Sequence, residues 1–242
     1  MDELRVYTFM PGWGLPSTGP FALKLLAWLR AEGIAYEQVI ENRSDRGPLG
    51  KSPWIERAGQ RMGDSDAIIR ALAAERRRPD PTRAAATTGE AGAQALRLAF
   101  EERFHQVLEW ELFLHPAGAE GMRAMVRTTL PPVVSDAVFA SLRRHFRRQL
   151  QARGLGRLSP AEIEAEGRAL LDLLRHSIRD DGWLWPDGPG LPDFAVWGQV
   201  APLLRWPMRT PVAEAAKTDA AVAAWAARVE GAAGLARSTQ AA

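Results

Sequence analysis

One short segment carries residue types suited to holding an extended, charged ligand. It is Gly47-Pro48-Leu49-Gly50-Lys51-Ser52-Pro53-Trp54-Ile55, and Asp64-Ser65 follows at the predicted start of a helix. A helix start offers unbonded N–H groups and the positive end of the helix dipole, which suit a carboxylate. Each feature also has an ordinary structural role, since Asp64 or Ser65 can cap a helix and Lys51 can be a solvated loop residue.

The residues before this segment predict a strand, a helix and a second strand. Residues 4–9 alternate in polarity as a strand does, and Pro20 opens a run with helical periodicity that Gly33 ends. Residues 36–40 predict the second strand. A strand, helix and strand in this order favour a parallel pair with a right-handed crossover, which is the opening of a thioredoxin-like domain.

The rest of the chain divides at a composition change. Residues 54–56 and 60–62 predict a hairpin turning at 58–59, and residues 65–76 a helix, which complete a small sheet domain over 1–76. Residues 77–92 are rich in Arg, Pro, Ala, Thr and Gly and predict a linker. Residues 93–242 predict an all-helical domain. Its predicted helices are 93–115, 135–153, 159–179, 191–204 and 219–230, and the chain is therefore α+β.

Composition excludes several classes of protein. The chain of 242 residues has no cysteine, so disulfides, thiolate metal sites and a cysteine nucleophile are excluded. Its four histidines show no ligand spacing, and we assign no metal. The formal charge of +2 does not predict a nucleic-acid partner. No apolar stretch is long enough to cross a bilayer and the start is acidic, so we expect a cytoplasmic protein.

A basic helix face is a further feature. Five arginines recur along the predicted helix 135–153 and are typical of a solvated face, with contact to phosphate or anionic lipid as the alternative. They are Arg143, Arg144, Arg147, Arg148 and Arg153.

The chain resembles the glutathione transferase superfamily. Its Gly-Lys-x-Pro element and acid-Ser pair match the family by position at Lys51, Pro53, Asp64 and Ser65. The segment 12–37 is similar to the branch that contains metaxins and failed-axon-connections proteins. Leu191-Pro192-Asp193 is similar to the buried capping motif of the helical transferase domain. The similarity covers most of the chain, is specific in residues 12–72, and implies a thioredoxin-like domain followed by a helical transferase domain.

The resemblance implies a glutathione site with assigned roles. Pro53 is expected in cis, so that Trp54 offers its backbone N–H and C=O to the extended tripeptide. The helix start with Ser65 would receive the γ-glutamyl carboxylate, Asp64 the ammonium, and Lys51 the other terminal carboxylate. Glutathione is thus expected as co-substrate.

Two positions depart from the family pattern. The residue before Pro20, usually Ser or Cys in this branch, is Gly19, so the usual catalytic side chain is missing. We rank Thr18 first as the replacement hydroxyl donor, with Ser17 and Tyr7 as alternatives, and an ordinary turn or strand role remains open for all three. Gly190 stands where the helical capping motif normally has Ser or Thr.

Three functions remain open at this point. The first is a glutathione transferase that conjugates the thiolate to a small hydrophobic electrophile, with Trp13, Phe104 and Trp110 as pocket walls. The second is a non-catalytic binding protein, favoured by Gly19. The third is a partner-docking protein of the metaxin kind that uses the basic helix. The resemblance also implies a homodimer, and the sequence does not specify the second substrate.

Overall fold

The computed structural model describes residues 3–83, 85–128 and 130–235. The predicted sheet domain 1–76, linker 77–92 and helical domain 93–242 therefore each include residues outside the described part of the chain.

The N-terminal part folds as a four-stranded sheet with two α-helices. The elements are β1 Arg5–Thr8, α1 Pro20–Ala31, β2 Glu37–Ile40, β3 Trp54–Arg57, β4 Gln60–Gly63 and α2 Ser65–Glu75. The strand order is β2-β1-β3-β4. β1 runs parallel to β2 and antiparallel to β3, which forms a hairpin with β4. Helix α1 crosses over between β1 and β2, and α2 follows β4.

Local sequence signals account for this domain. Val6 and Thr8 of β1 are fully buried, as the alternation predicts. Helix α1 ends where Gly33 adopts a φ of 63°, and the hairpin turns through Ala58 and Gly59 at φ 52° and 74°. Positive φ at consecutive turn residues matches the twist of paired strands. The predicted strand-helix-strand unit, hairpin and helix are confirmed.

The C-terminal part consists of helices joined by loops, with no strand among its described residues. The helices are α3 Thr88–Ala99, α4 His105–Phe113, α5 Pro116–Arg127, α6 Pro132–Arg153, α7 Pro160–Ser177, α8 Leu191–Arg205, α9 Pro211–Thr218 and α10 Ala220–Ala232, with a π-helical segment at Phe100–Phe104. Helices α5 and α9 were not predicted from the sequence. The first contains two glycines and the second has only eight residues, so local signals are weak in both.

The helical part begins earlier than predicted. Thr87 and Glu90 form a reciprocal capping box, in which each side chain accepts a hydrogen bond from the other residue's N–H. The first helix therefore starts at Thr88, and residues 88–92 of the predicted linker belong to α3.

A buried cluster of four charges joins the sheet domain to the helical domain. Lys24 of α1 contacts Asp66 of α2 at 2.7 Å and Glu101 of the π-helical segment at 2.5 Å. Arg97 of α3 contacts the same two carboxylates at 2.8 Å each. The two cations and Glu101 are buried, while Asp66 is partly exposed. Charges withdrawn from water need such paired geometry, so the cluster fixes how these elements meet.

Asp193 organises the start of α8. Its fully buried carboxylate accepts hydrogen bonds from the N–H groups of Leu184, Trp185 and Gly190, at 2.8–3.1 Å, and from the Trp225 indole at 3.1 Å. A Cβ on Gly190 would lie 2.4 Å from the Trp185 side chain. The tryptophan therefore occupies the space that a serine or threonine cap would need, and the carboxylate instead fixes the loop 184–190 that leads into α8.

We predict that Asp193→Asn lowers the free energy of unfolding by about 2 to 4 kcal/mol. Each carboxylate oxygen of Asp193 accepts two hydrogen bonds. In the asparagine variant an amide nitrogen, which is itself a donor, would replace one oxygen and face two N–H groups. Urea denaturation measures the change. Asp219→Asn is the matched control, because Asp219 caps α10 at a half-exposed position and asparagine caps equally well. Equal losses in the two variants would contradict the prediction.

Candidate functional site

Sheet pairing brings the predicted glutathione-binding segments to one edge. Tyr7 of β1 pairs with Trp54 of β3, and Trp54 pairs with Gly63 of β4. The carboxyl ends of β1 and β4 and the amino end of β3 therefore share an edge of the sheet. The loop after β1, the loop before β3 and the start of α2 meet at that edge.

The start of α2 presents backbone donors. The Asp64 carboxylate accepts from the Ala67 N–H at 2.8 Å, and the Asp64 carbonyl accepts from Ile68 at 2.9 Å. The N–H groups of Ser65 and Asp66 precede these bonds and point out of the helix start. Ser65 is buried, while Asp64 is exposed and has a φ of 69°, which non-glycine residues rarely adopt. Asp64 thus caps the helix in the structure, with the rest of its carboxylate open to solvent.

The loop before β3 is shaped by close packing. Lys51 is exposed, and the Ser52–Pro53 peptide is cis, as the resemblance implied. A Cβ on Gly47 would lie 2.5 Å from the Lys51 carbonyl oxygen, so only glycine permits this approach. Within the described chain, the Ser52 hydroxyl is buried and has no hydrogen-bond partner. A buried polar group of this kind is costly unless a partner satisfies it.

Contrary to our expectation, Trp54 is not placed to offer its backbone N–H and C=O to a ligand. Its backbone sits between β1 and β4, and its ring stacks on Tyr7 at 3.5 Å with the Arg61 guanidinium 4.0 Å from its centre. A backbone flanked by strands on both sides has no free edge for a ligand. Ser52, just outside the strand, is the better source of backbone groups for an extended ligand.

The start of α1 offers little side-chain chemistry. Gly19 is the N-cap residue and makes no side-chain bond, and Leu23 is the first residue whose N–H bonds back to it. Ser17 is fully buried and accepts a hydrogen bond from the Gly19 N–H at 3.1 Å. Thr18 is half-buried. The N–H groups of Phe21 and Ala22 precede the first helical bond and are the strongest donors here.

The three expected pocket walls are not equivalent. Trp13 is half-buried in the loop after β1 and packs edge-on against Trp206, 5.9 Å between ring centres. Phe104 has no exposed surface and stacks on Phe100 in the core, so its expected role as a pocket wall is wrong. Trp110 is also buried and packs against His115.

Two residues that the sequence analysis did not single out border the same edge. Phe21, in the first turn of α1, lies 5.0 Å from the His105 ring at the start of α4. His105 contacts the buried Gln199 of α8 at 2.9 Å and Glu109 at 3.4 Å. No local motif marks these contacts, because they join three helices that are distant in sequence.

The charge cluster contacts the first turn of α2 through Asp66. Asp66 directly follows Ser65 and is held by Lys24 and Arg97. Burial alone would raise the pKa of Asp66, but the neighbouring ammonium and guanidinium outweigh burial and hold it below its ordinary value. Asp66 therefore stays ionised and keeps the first turn of α2 against α1.

The described residues include neither a membrane-spanning helix nor a cluster of metal ligands. No helix among them has the length and apolarity that a bilayer crossing requires. Nor do they contain a group of three or more His, Asp or Glu side chains that could hold a metal ion.

The chain is similar to known proteins in sequence. Residues 20–118 match the family model of the glutathione S-transferase N-terminal domain. The chain is 25% identical over 227 residues to failed axon connections of Drosophila melanogaster, which covers 88% of this chain and 54% of that protein. It is 34% identical over 73 residues to isoprene-epoxide–glutathione S-transferase of Rhodococcus sp. strain AD45, covering 28% and 31% of the two chains. The chain thus spans about half or less of these relatives.

The fold matches solved structures over nearly the whole chain. Glutathione transferase F7 from Populus trichocarpa aligns with a TM-score of 0.57 at 14% identity, covering 94% of this chain and 93% of that one. Residues 20–118 thus match a glutathione S-transferase N-terminal domain, and the described chain has the fold of the glutathione transferases.

Proposed function

We propose that this protein binds glutathione at the sheet edge and transfers its thiolate to a small hydrophobic electrophile. The observation that carries the proposal is the convergence of two helix starts with the loop around Ser52 at one edge. The match to a glutathione S-transferase N-terminal domain covers that edge from Pro20 onward. A cytoplasmic location is part of the same proposal.

The residues at the edge fit the charges of the tripeptide. The N–H groups of Ser65 and Asp66, with the Ser65 hydroxyl, would bind the γ-glutamyl carboxylate, and the outer Asp64 oxygen its ammonium. The ammonium of Lys51 would bind the glycyl carboxylate. The backbone groups of Ser52, just before β3, would bind the middle of the ligand.

The Ser65 hydroxyl is the buried side-chain donor of the proposed glutathione site. Ser65→Ala removes one buried donor to a carboxylate and should weaken glutathione binding by about 1 to 3 kcal/mol, roughly fivefold to 150-fold. Isothermal calorimetry with reduced glutathione measures the affinity.

Ser159→Ala is the matched control. It removes a serine that caps α7, outside the proposed site, so affinity should not change. If the unmodified protein does not bind glutathione, or if both variants lose the same affinity, the proposed site is wrong.

Catalysis at this site would rest on backbone donors and one hydroxyl. The thiol must lose its proton to act as a nucleophile, and hydrogen bonds or a helix N-terminus lower its pKa. The N–H groups of Phe21 and Ala22 are suited to this, and Thr18 adjoins the position left vacant by Gly19. Ser17 is less suited, because it is fully buried and its oxygen already accepts a bond from Gly19.

We predict that Thr18→Val slows glutathione conjugation about tenfold, corresponding to roughly one unit of thiol pKa. The substitution keeps the side-chain shape and removes only the hydroxyl. Thiolate absorbance against pH, together with turnover of an aromatic halide, measures both effects. Ser17→Ala serves as the comparison and should have the smaller effect on both. An unchanged thiolate titration in Thr18→Val would contradict the role of Thr18.

A non-catalytic binding protein is the second candidate, and Gly19 favours it. The position that usually carries the catalytic side chain holds no side chain here. Glutathione binding without a thiolate signal or turnover would support this alternative.

We also propose a homodimer formed through a groove between α3 and α7. The groove measures about 470 Å³ and includes Leu173, which is 47% exposed, while Leu98 on α3 is 53% exposed. Two-fold symmetry would bring this apolar surface against the same surface of a second copy.

Leu173→Glu should convert the dimer to a monomer, because it places a charge in the apolar contact. Sedimentation velocity measures the mass. Leu49→Glu, at another exposed leucine, is the control and should remain dimeric. A monomeric unmodified protein, or an unchanged mass in Leu173→Glu, would contradict the proposed interface.

A further inference from the structure

We propose that the outward face of α6 docks on an anionic lipid surface. This face, here called the α6 face, combines exposed valines near the start of the helix with exposed arginines near its end. The valines are Val133, Val134 and Val138, and the arginines are Arg144, Arg147 and Arg148.

Helix geometry places these side chains around the solvent-facing half of α6. Val133, Arg144 and Arg148 lie along one stripe at spacings of three and four residues through positions 137 and 141, while Val134 and Val138 flank it on one side and Arg147 on the other. At about 1.5 Å per residue, Val133 and Arg148 lie about 22 Å apart along the axis. The opposite side is buried through Phe139 and Leu150, so α6 cannot rotate to hide the valines.

The valines are unusually exposed for their type. Val133 is 84% exposed and Val134 is 48% exposed. Single exposed apolar residues are common on protein surfaces, but here three lie within six residues: Val134 and Val138 adjoin each other one turn apart, and Val133 directly precedes Val134. Such a patch favours a partner that offers an apolar phase.

The arginines at the other end of the face lack carboxylate partners within the described chain. Arg143 donates to the Phe113 carbonyl and Arg153 pairs with Glu109, so these two belong to the packing of α6. No ion pair of the described residues involves Arg144, Arg147 or Arg148. Each of these three guanidinium groups is therefore free to bind a phosphate.

A second copy of the chain does not suit the α6 face. Antiparallel pairing of two α6 helices would place valines against arginines, and parallel pairing would place arginines against arginines. The antiparallel arrangement leaves the valines without an apolar partner, and the parallel arrangement places like charges against each other.

An anionic membrane surface supplies both kinds of contact. Its phosphates attract guanidinium groups, and its acyl chains accept the valines beneath them. Nucleic acid offers phosphates but no apolar phase for the valines. With the helix tilted so that its start enters the surface, the arginines later in α6 remain at the level of the headgroups.

Co-sedimentation with vesicles tests this proposal. We expect the full chain to bind equimolar phosphatidylcholine and phosphatidylglycerol vesicles, to bind pure phosphatidylcholine vesicles weakly, and to dissociate as salt rises. Replacing Arg144, Arg147 and Arg148 together with alanine should lower the partition constant about a hundredfold, or about fivefold per arginine. Replacing the three valines with serine should lower it roughly tenfold.

Matched triple variants separate the α6 face from net charge and general hydrophobicity. Alanine at Arg168, Arg175 and Arg209 removes the same charge from other exposed surfaces. Serine at Ile40, Leu49 and Met62 removes exposed apolar side chains from the sheet domain. Both controls should retain vesicle binding. Circular dichroism of every variant verifies that the helices remain folded.

Several results would overturn the proposal. The first is that the full chain does not bind anionic vesicles. The second is that the control variant at Arg168, Arg175 and Arg209 loses as much vesicle binding as the α6 arginine variant. The third is that duplex DNA displaces the protein from vesicles while the valine variant binds them as well as the unmodified protein. The Ser65→Ala variant should bind vesicles normally, because α6 packs on α4 and α5 and forms no part of the sheet edge. The proposals for the α6 face and for the glutathione site can therefore be contradicted independently of each other.

Discussion

The structure depends on one balanced group of buried charges between its two domains. Lys24 and Arg97 face Asp66 and Glu101, so each cation contacts both anions. Removing any one of them would leave a buried charge without its partner, which costs far more than the intact pairs contribute. The arrangement is therefore satisfied only when α1, α2 and α3 meet in this one geometry. Because Asp66 follows Ser65, the same constraint sets the position of the proposed ligand-binding turn.

The pH dependence of this join follows from its charges. The lowered pKa of Asp66 means that the folded state favours its ionised form. Its contribution to stability is present above the ordinary carboxyl pKa and is lost as the pH falls through the lowered value. Two other buried carboxylates behave in the opposite sense: Asp193, and Glu111 of α4, which accepts hydrogen bonds from Thr210, Val212 and Ala213. Burial raises the pKa of each despite these hydrogen bonds. Their effect on stability becomes less favourable as the pH rises from the ordinary pKa to the raised one.

Much of the sheet domain could be predicted because its signals are local. Alternation in β1, the proline at the start of α1 and the glycine after its end each act within a few residues. The roles of Phe104 and Trp54 were not predictable in this way. Whether an aromatic residue faces a pocket or the core depends on which helix covers it, and Phe104 is covered completely. The charge cluster and the His105 contacts were missed for the same reason, because they join segments distant in sequence.

The loss of a side chain at Gly19 does not remove the physical basis for the proposed chemistry. Gly19 caps α1 in an extended conformation, and the first N–H groups of the helix remain ahead of its first backbone bond. Donors of this kind are fixed by the helix itself and need no side chain to orient them. In the proposed function, a site built from two helix starts would therefore keep recognition of an anionic tripeptide in the backbone. Side chains near Thr18 would then set the pKa of the tripeptide's thiol, and so decide between a transferase and a binding protein.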